Sequence, residues 1–593
     1  MRFVFDIETD GLLNEATKIH CIEMVDIDTG KCFSFTPETI EDGLKLLAQA
    51  DEIVGHNIIC FDIPVINKLY PNWSTKVQKV TDTLVLSQLL KGDIKNEDFD
   101  NSHTSDLPKR LYGSHSLKSW GYRLKCHKEE IETDWSEWTK EMQQYCYQDV
   151  QVNLRLYKMF YITIVDTSWS LESIRLEHEA AILCNRIGNN GWTFDTKKAS
   201  ELYGELARER SELETELQTL FEPWTISEIF IPKVNNKKLG YVKGEPFEKK
   251  KVVEFNPQSR RHIEKCLRDK YGWKPKKMTA GGHAQIDEVV LGQLHYPEAK
   301  KLARMFLINK RLGQLAEGKQ AWLKLVDNKN IIRHQIVPCG TVTGRAAHRN
   351  PNLGQVPRAT APYGKRCREL FTVPKGWKLL GSDLSGIELR MLAHYLSFND
   401  DGEYAKQILD GDIHTYNQKA AGLETRDQAK TMIYALCYGA SDKKMGEIIG
   451  GNAKDGKALK QKFYQDVPAF SELLRGVSSA VSRGYLKSLD GRRVKIRSAH
   501  SALNTLLQSA AGIISKKWIC LIQEEIIRKG LQGECYMMAW VHDEIQIACK
   551  TQEVAEHVGR ITRRMAKKVG EAYDCRIAID SEYSIGKTWA DSH

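Results

Sequence analysis

Two carboxylates far apart in the chain, Asp383 and Asp543, each stand where an apolar run ends. Asp383 follows Trp377-Lys378-Leu379-Leu380, and Ile387, Met391 and Tyr395 come next at helical spacing, which predicts a strand that turns at once into a helix. Asp543 lies in Val541-His542-Asp543-Glu544-Ile545, between Tyr536-Met537-Met538-Ala539-Trp540 and Gln546-Ile547-Ala548-Cys549. Those flanks predict a hairpin with His542 and Asp543 at its tip. The pair lacks the Asn-Gly chemistry of an ordinary two-residue turn, which points to a tip kept for function. Taken alone, Asp383 serves equally well as a helix cap. Taken together, two Asp residues on strand ends offer the hard oxygen ligands that two-metal phosphoryl transfer requires.

Between them Thr425 and Gln428 form a capping-box pattern, with Asp427 in the first turn of the helix it predicts. Arg426, Lys430, Tyr434 and Tyr438 then recur every four residues, a drift of about 40° per step that keeps all four near one face. Cations come first and aromatics follow, an order suited to a nucleoside triphosphate lying along the helix. The plainer alternative is a surface helix with solvated cations and half-buried tyrosines.

A second set of acids stands near the beginning of the sequence. Arg2 to Thr9 alternates so that Asp6 and Glu8 share one face of a strand. Glu52-Ile53-Val54-Gly55 predicts another strand, and Asp62 follows near the start of a helix. Tyr145 and Asp149 sit four apart in the helical run from Met142 to Phe160. Each has an ordinary alternative: Asp62 as a helix-start acid, Tyr145 as a core aromatic, Asp149 as a solvated charge.

The three C-terminal pieces in this order resemble the family A (DNA polymerase I-like) DNA polymerases. Gly-Asp-Ile-His-Thr at 411–415 and Ala-Leu-Asn-Thr-Leu-Leu-Gln-Ser-Ala at 502–510 are similar to the replicative polymerases of podophages. Asp-x-Glu, Asn-x-x-x-Phe-Asp and Tyr-x-x-x-Asp in sequence resemble the DnaQ-like 3′–5′ exonucleases. The resemblance implies an RNase H-like exonuclease domain at 1–170 and a right-hand polymerase. Its thumb and connecting helices would span 171–330, its palm 331–400 and 501–593, and its fingers 401–500. It implies template-directed DNA synthesis with proofreading, and two Mg²⁺ per active site, with Mn²⁺ able to substitute. Asp383, Asp543 and the Leu384 carbonyl would hold one pair of ions; Asp6, Glu8, Asp62 and Asp149 would hold the other, while Tyr145 positions a water.

On the same footing, His414 and Arg426 contact the outer phosphates, Lys430 neutralises charge near the reacting phosphorus, and Glu388 with Tyr438 packs against the sugar. Tyr434 stands where many bacterial relatives have Phe, which implies tolerance of dideoxynucleotides. Glu544 either ligates a metal or braces the hairpin. Arg345, in the loop Thr341 to His348, is assigned to the minor groove at the primer terminus with Asn504 and Gln508, and His542 joins these DNA contacts. Acceptors shared by every correct base pair lie there, so such contacts sense mismatches without sequence preference. Lys495 and Arg497 are expected to be phosphate contacts or part of a solvated strand.

The elements that carry these residues fit a large globular protein. The length of 593 residues allows about four compact units. A net charge of +9 is too small to argue for nucleic acid by itself, so local groups of Lys and Arg must supply phosphate contacts. The 14 cysteines form no Cys-x-x-Cys pair, which argues against structural zinc and for a reducing compartment. The sequence carries no membrane-length apolar run, and the expectation is a cytoplasmic enzyme without a leader or membrane partners, by resemblance in an infected bacterial host.

Ala199, Leu202, Leu206, Leu213, Leu217 and Leu220 predict a long amphipathic helix; a second run, Ala299 to Val326, predicts an antiparallel mate, and Phe221 to Glu254 a loop. In thioredoxin-borrowing podophage enzymes a larger thumb insertion recruits the host protein, and the shorter segment here argues against that partner. A phage helicase-primase and a single-strand-binding protein are implied partners, with primer–template DNA and deoxynucleoside triphosphates as substrates. Two other classes compete. One is a 3′–5′ exonuclease with a nucleic-acid-binding C-terminal module, which intact Asp383, Asp543, Arg426 and Lys430 disfavour. The other is a single-subunit RNA polymerase, which the N-terminal acids and the Glu388/Tyr438 pair disfavour.

Overall fold

The computed structural model describes residues 1–74, 79–103, 106–126, 134–279 and 281–592. Its contacts divide the chain into two units, Met1–Thr193 with Arg333–His593, and Phe194–Ile332. The first unit begins with a mixed five-stranded sheet built from β1 (Arg2–Thr9), β2 (Ile19–Asp26), β3 (Cys32–Phe35), β4 (Glu52–Gly55) and β5 (Lys79–Asp82), with α1 (Asp62–Leu69) between the last two. The spatial order is β3-β2-β1-β4-β5. β1 runs parallel to β4, pairing Val4 with Val54, and antiparallel to β2, pairing Asp6 with Glu23.

Both faces of β1 are covered, so its apolar residues form a nearly continuous run rather than a strict alternation. Phe3, Phe5 and Ile7 pack with Ile22, Met24, Ile53 and Ile66 on one side. Val4 packs with Val54, Val150 and Tyr157 on the other. The second layer is α2 (Lys140–Asp166), started by Thr139, whose hydroxyl accepts the Met142 N–H at 3.1 Å. After α2 comes α3 (Leu171–Asn190), whose Leu176, Ala180, Leu183 and Ile187 join the core of the C-terminal part of this unit.

The second unit is built on α4 (Thr196–Leu220), capped by Asp195, whose carboxylate accepts the Lys198 N–H at 3.0 Å. A β-hairpin follows, β6 (Trp224–Phe230) with β7 (Phe247–Val253), and Ser227 faces Lys250 across it. This corrects the loop expected at 221–254. The lysine run masks a strand that is solvated on both faces, and the Lys249 ammonium sits 3.7 Å over the Phe230 ring. α5 (Pro297–Leu312) lies antiparallel to α4, joined by Arg304–Glu209 at 2.7 Å. The helix expected to reach Val326 does not: a π-turn occupies Gly313–Glu317, and only Trp322–Leu325 is helical beyond it. Glycines at 313 and 318 weaken the helix where apolar spacing alone suggested continuity.

The rest of the first unit places the acids singled out above. β8 (Lys378–Leu384) turns at Ser385-Gly386 into α6 (Ile387–Leu396), with Gly386 at φ 55°, where a side chain would add strain. A helical pair follows, α7 (Ile413–Ala421) and α8 (Arg426–Cys437). α9 (Ala502–Arg528) is buried on nearly every side, by Leu503, Leu506, Leu507, Ile513, Ile514 and Trp518 among others, so it forms the spine of this part. β9 (Cys535–Val541) and β10 (Glu544–Cys549) form a hairpin that completes an antiparallel sheet with β8 and β11 (Ser581–Gly586), in the order β9-β10-β8-β11. Among the described residues, no helix is long and apolar enough to cross a membrane.

Candidate active sites

At the N-terminal sheet, Asp6 and Glu8 are both half-buried on one face of β1. Their carboxylate oxygens and the Cys146 sulfur lie within 4.8 Å of one another. Cys146, next to Tyr145 on α2, was not singled out from the sequence; its Sγ is 3.4 Å from the Asp6 carbonyl, and burial pushes its thiol pKa well up. Tyr145 faces Trp135 edge-on at 6.2 Å. Asp62 opens α1 and is 3% exposed, with Oδ1 lacking a hydrogen-bond partner among the described residues. Burial, with smaller contributions from the charges of Asp82 and Asp149, raises its pKa to about 7. Asp149 is buried on α2.

Asp82 was also missed as a site residue. Its carboxylate accepts the N–H groups of Asn57, Ile59 and Leu84 at 2.8, 3.1 and 2.9 Å, and so fixes the loop that leads into Asp62. The signal available was an Asp-Thr pair at a strand-to-helix junction, a capping pattern.

At the C-terminal site the sheet brings the end of β8, with Asp383, beside the hairpin tip that carries Asp543. Asp383 pairs with Glu544 across β8 and β10, and the Leu384 N–H donates to the Asp543 carbonyl at 3.0 Å. Asp383 is exposed and Asp543 half-buried, with the Asp543 carboxyl pKa raised chiefly by burial. His542 holds the hairpin tip in the left-handed region, at φ 61°. Ser515 on α9 secures that tip: its hydroxyl donates to the His542 carbonyl at 2.6 Å and accepts the Trp540 indole N–H at 2.8 Å. Glu544 is buried and accepts from the Trp589 indole at 2.5 Å and the Gln546 amide at 2.6 Å, contacts that brace the hairpin.

The capping box at Thr425 and Gln428 forms, with bonds of 3.2 and 3.0 Å, and starts α8 at Arg426. Arg426 pairs with Asp412 at 2.6 Å, and Lys430 is exposed on the same helix. His414 lies near Tyr434, ring centroids 6.5 Å apart, and its pKa is lowered by burial and then by the Arg426 charge. Tyr438 stands just past the last helical residue, and its hydroxyl is 3.5 Å from Glu388. Glu388 also pairs with Arg345, so three residues from separate segments converge. Asn504 and Gln508 are both partly exposed on the first turns of α9. Arg497 pairs with buried Asp93 at 2.6 Å, and Lys495 lies 3.7 Å from the same acid. These two cations, both still partly in solvent, tie their segment to the N-terminal part of the unit.

The family model for DNA polymerase family A matches residues 233–591, and that for the RNase H superfamily matches 3–161. The chain is 36% identical to the DNA-directed DNA polymerases of Escherichia phage T7 and Enterobacteria phage T3, over 100% of this chain and of each of theirs. It is 28% identical to the thermostable DNA polymerase I of Thermus filiformis over 57% of this chain and 42% of that one. Its fold matches the POL domain of Pol1 from M. smegmatis, solved in complex with DNA primer-template and dNTP, with a TM-score of 0.76 at 18% identity, covering 100% of this chain and 96% of that one. The chain belongs to DNA polymerase family A. It is a DNA-directed DNA polymerase with an RNase H-like 3′–5′ exonuclease domain, the fold class and activity expected from the sequence.

Both parts belong to metal-dependent families. The residues present fit hard divalent cations: at the N-terminal site, half-buried Asp6 and Glu8 crowd one another, and buried Asp62 has an oxygen without a partner among the described residues and a raised pKa. At the C-terminal site the donors at the end of β8 and at the β9–β10 tip are likewise oxygens.

Proposed function

We propose that synthesis takes place at the β8/β10 strand ends and proofreading at β1, α1 and α2. The observation that supports the first site best is the pairing of Asp383 with Glu544 on adjacent strands, with the Leu384 N–H on the carbonyl of Asp543 at the hairpin tip and the Glu388–Tyr438 contact beside them. Asp383, Asp543 and the Leu384 carbonyl would hold the ions of synthesis, and Asp6, Glu8, Asp62 and Asp149 those of hydrolysis. Bound Mg²⁺, or Mn²⁺ in its place, lowers the pKa of the attacking oxygen and neutralises charge at the reacting phosphate.

The chain's own residues do the positioning. Arg426 exchanges Asp412 for the outer phosphates of the incoming nucleotide, and His414 contacts the same phosphates. Lys430, one turn on, neutralises charge nearer the reacting phosphorus. Tyr434 lies beneath the sugar and base, while Glu388 and Tyr438 close the space a 2′ hydroxyl would need. Arg345, Asn504, Gln508 and His542 meet the primer terminus. At the other site Tyr145 orients the attacking water. In this reading residues 1–170 are the exonuclease domain, 171–330 the thumb and connecting helices, 401–500 the fingers, and 331–400 with 501–593 the palm. The enzyme would act in the cytoplasm of an infected bacterium, beside a helicase-primase and a single-strand-binding protein. Single-nucleotide incorporation by Asp383→Ala and Asp543→Ala tests the first assignment: both should lose synthesis and keep 3′ hydrolysis, and synthesis at the wild-type rate in either would overturn it.

A further inference from the structure

Four charged side chains lie fully inside the first unit, away from the carboxylates of both sites. Glu177 on α3 and Lys516 on α9 are each 0% exposed, Arg492 is 2% and Asp490 5%. Glu177 accepts from Arg492 at 2.5 Å and also from Lys516. Asp490 takes the Arg492 guanidinium on both oxygens, at 2.6 to 3.0 Å. Two acids and two bases balance, which is how buried charge is tolerated. Well-packed apolar side chains would still serve stability as well or better, so such a cluster calls for a geometric reason.

That reason lies in the cluster's bond to the Arg345 turn. The Lys516 ammonium donates to the carbonyl of Gly344 at 2.6 Å, and Gly344 precedes Arg345. The turn is otherwise held by local bonds, Gly344 N–H to the Thr341 carbonyl at 2.9 Å and Arg345 N–H to the Thr341 hydroxyl at 3.0 Å. Gly344 has φ 78°, and a Cβ there would stand 3.0 Å from the Arg492 guanidinium, so the cluster packs directly against the turn. From the turn, Arg345 reaches Glu388. Lys516 shares α9 with Asn504 and Gln508, and Gln508 is about 12 Å along the axis from it.

We infer that Lys516, held by Glu177 and Arg492, is a positioning residue that fixes the Arg345 turn in register with Asn504 and Gln508, and so sets how strictly the enzyme demands a correctly paired primer terminus. This rests on the reading above that those three residues meet the terminus. α9 then acts as a ruler: it presents two of the contacts itself and carries the anchor of the third. A loosened turn penalises extension from a matched terminus, where Arg345 makes its contact, more than from a mismatched one, where the contact is already lost.

The test uses full-length protein with Asp6→Ala/Glu8→Ala to silence hydrolysis, and reads the ratio of extension efficiencies from matched and mismatched termini. Arg345→Ala should lower that ratio on the order of tenfold, the effect of one well-placed hydrogen bond. Lys516→Met should lower it in the same direction, and should add nothing in an Arg345→Ala background. Thr341→Val removes an acceptor of the same turn without touching the buried cluster, and should reproduce the shift should Lys516→Met fail to fold. An unchanged ratio in folded Lys516→Met, or an equal drop with and without Arg345, overturns the inference. An unchanged ratio in Arg345→Ala overturns the underlying assignment of Arg345 instead.

Discussion

Removing one hydroxyl from α9 should uncouple the catalytic hairpin from its support. Ser515 is 1% exposed and bonds both the His542 carbonyl and the Trp540 indole, itself 1% exposed. In Ser515→Ala the indole N–H is left buried without an acceptor, at about 1–3 kcal/mol. The tip carbonyl can turn to water, adding about 0.5–1.5 kcal/mol at most. Unfolding in denaturant should therefore show a loss of about 1.5–4.5 kcal/mol.

The functional effect has a separate origin. His542 is held in the left-handed region, which favours release of the tip by about 1–2 kcal/mol once the restraint is gone. Asp543 follows it directly. Single-turnover incorporation should fall about tenfold, the factor that corresponds to 1.4 kcal/mol, while 3′ hydrolysis of single-stranded DNA stays at the wild-type rate. Adding Trp540→Phe removes the stranded indole donor, so the double variant should regain stability without regaining synthesis. Wild-type synthesis in a Ser515→Ala protein that has lost the predicted stability would refute the idea that the helix sets the position of Asp543.

Three further outcomes follow from the same geometry. Tyr434→Phe should restore discrimination against dideoxynucleotides, measured by competition with the matching deoxynucleotide; unchanged dideoxy incorporation contradicts the assignment of Tyr434. Asp412→Asn keeps a capping side chain at the start of α7 but releases Arg426. It should tighten apparent nucleotide affinity at low salt, with the gain shrinking as salt screens it; weaker binding at all salt concentrations argues against Arg426 as a phosphate ligand. Acid should destabilise the protein through its buried histidines. Burial depresses His334 to about 3, and His348 and His394 to about 4, below the ordinary value near 6.5. The unfolded chain thus binds more protons below pH 6.5. The stability these residues contribute is whole above that pH and is lost as pH falls, by about 1.4 kcal/mol per unit for each, or about 2 kcal/mol each at pH 5. His394→Gln, whose side-chain oxygen can still accept the Arg576 N–H, should flatten the slope of stability against pH by one histidine's share; an unchanged slope contradicts the assignment.

The legible part of this chain was local. Asp383 before a strand-to-helix turn, the capping box at Thr425, and Asp6 and Glu8 on one strand face each carry their signal within a few residues. The same is true of the apolar flanks of the 535–549 hairpin. What escaped depended on distant partners or on competing signals. Glu177 and Lys516 are 339 positions apart, and neither side chain differs in type from a solvated one. Ser515 matters only because the hairpin tip folds onto α9. The 224–253 hairpin was hidden by lysines that sit in solvent. Lys495 and Arg497, expected as phosphate contacts or a solvated strand, gave no sign of their distant partner Asp93. Two glycines ended a helix that periodicity would have carried on to Val326.

Two active sites on one chain are tested most directly by a single gel. A 3′-mismatched primer–template is incubated with Mg²⁺, with and without deoxynucleoside triphosphates, using wild type, Asp383→Ala and Asp6→Ala/Glu8→Ala. Shortening without nucleotides should be lost in the double variant alone, and full-length extension with nucleotides should be lost in Asp383→Ala while it still shortens the primer. Loss of shortening in Asp383→Ala, or shortening with no extension by wild type even from a matched primer, would contradict two separate sites.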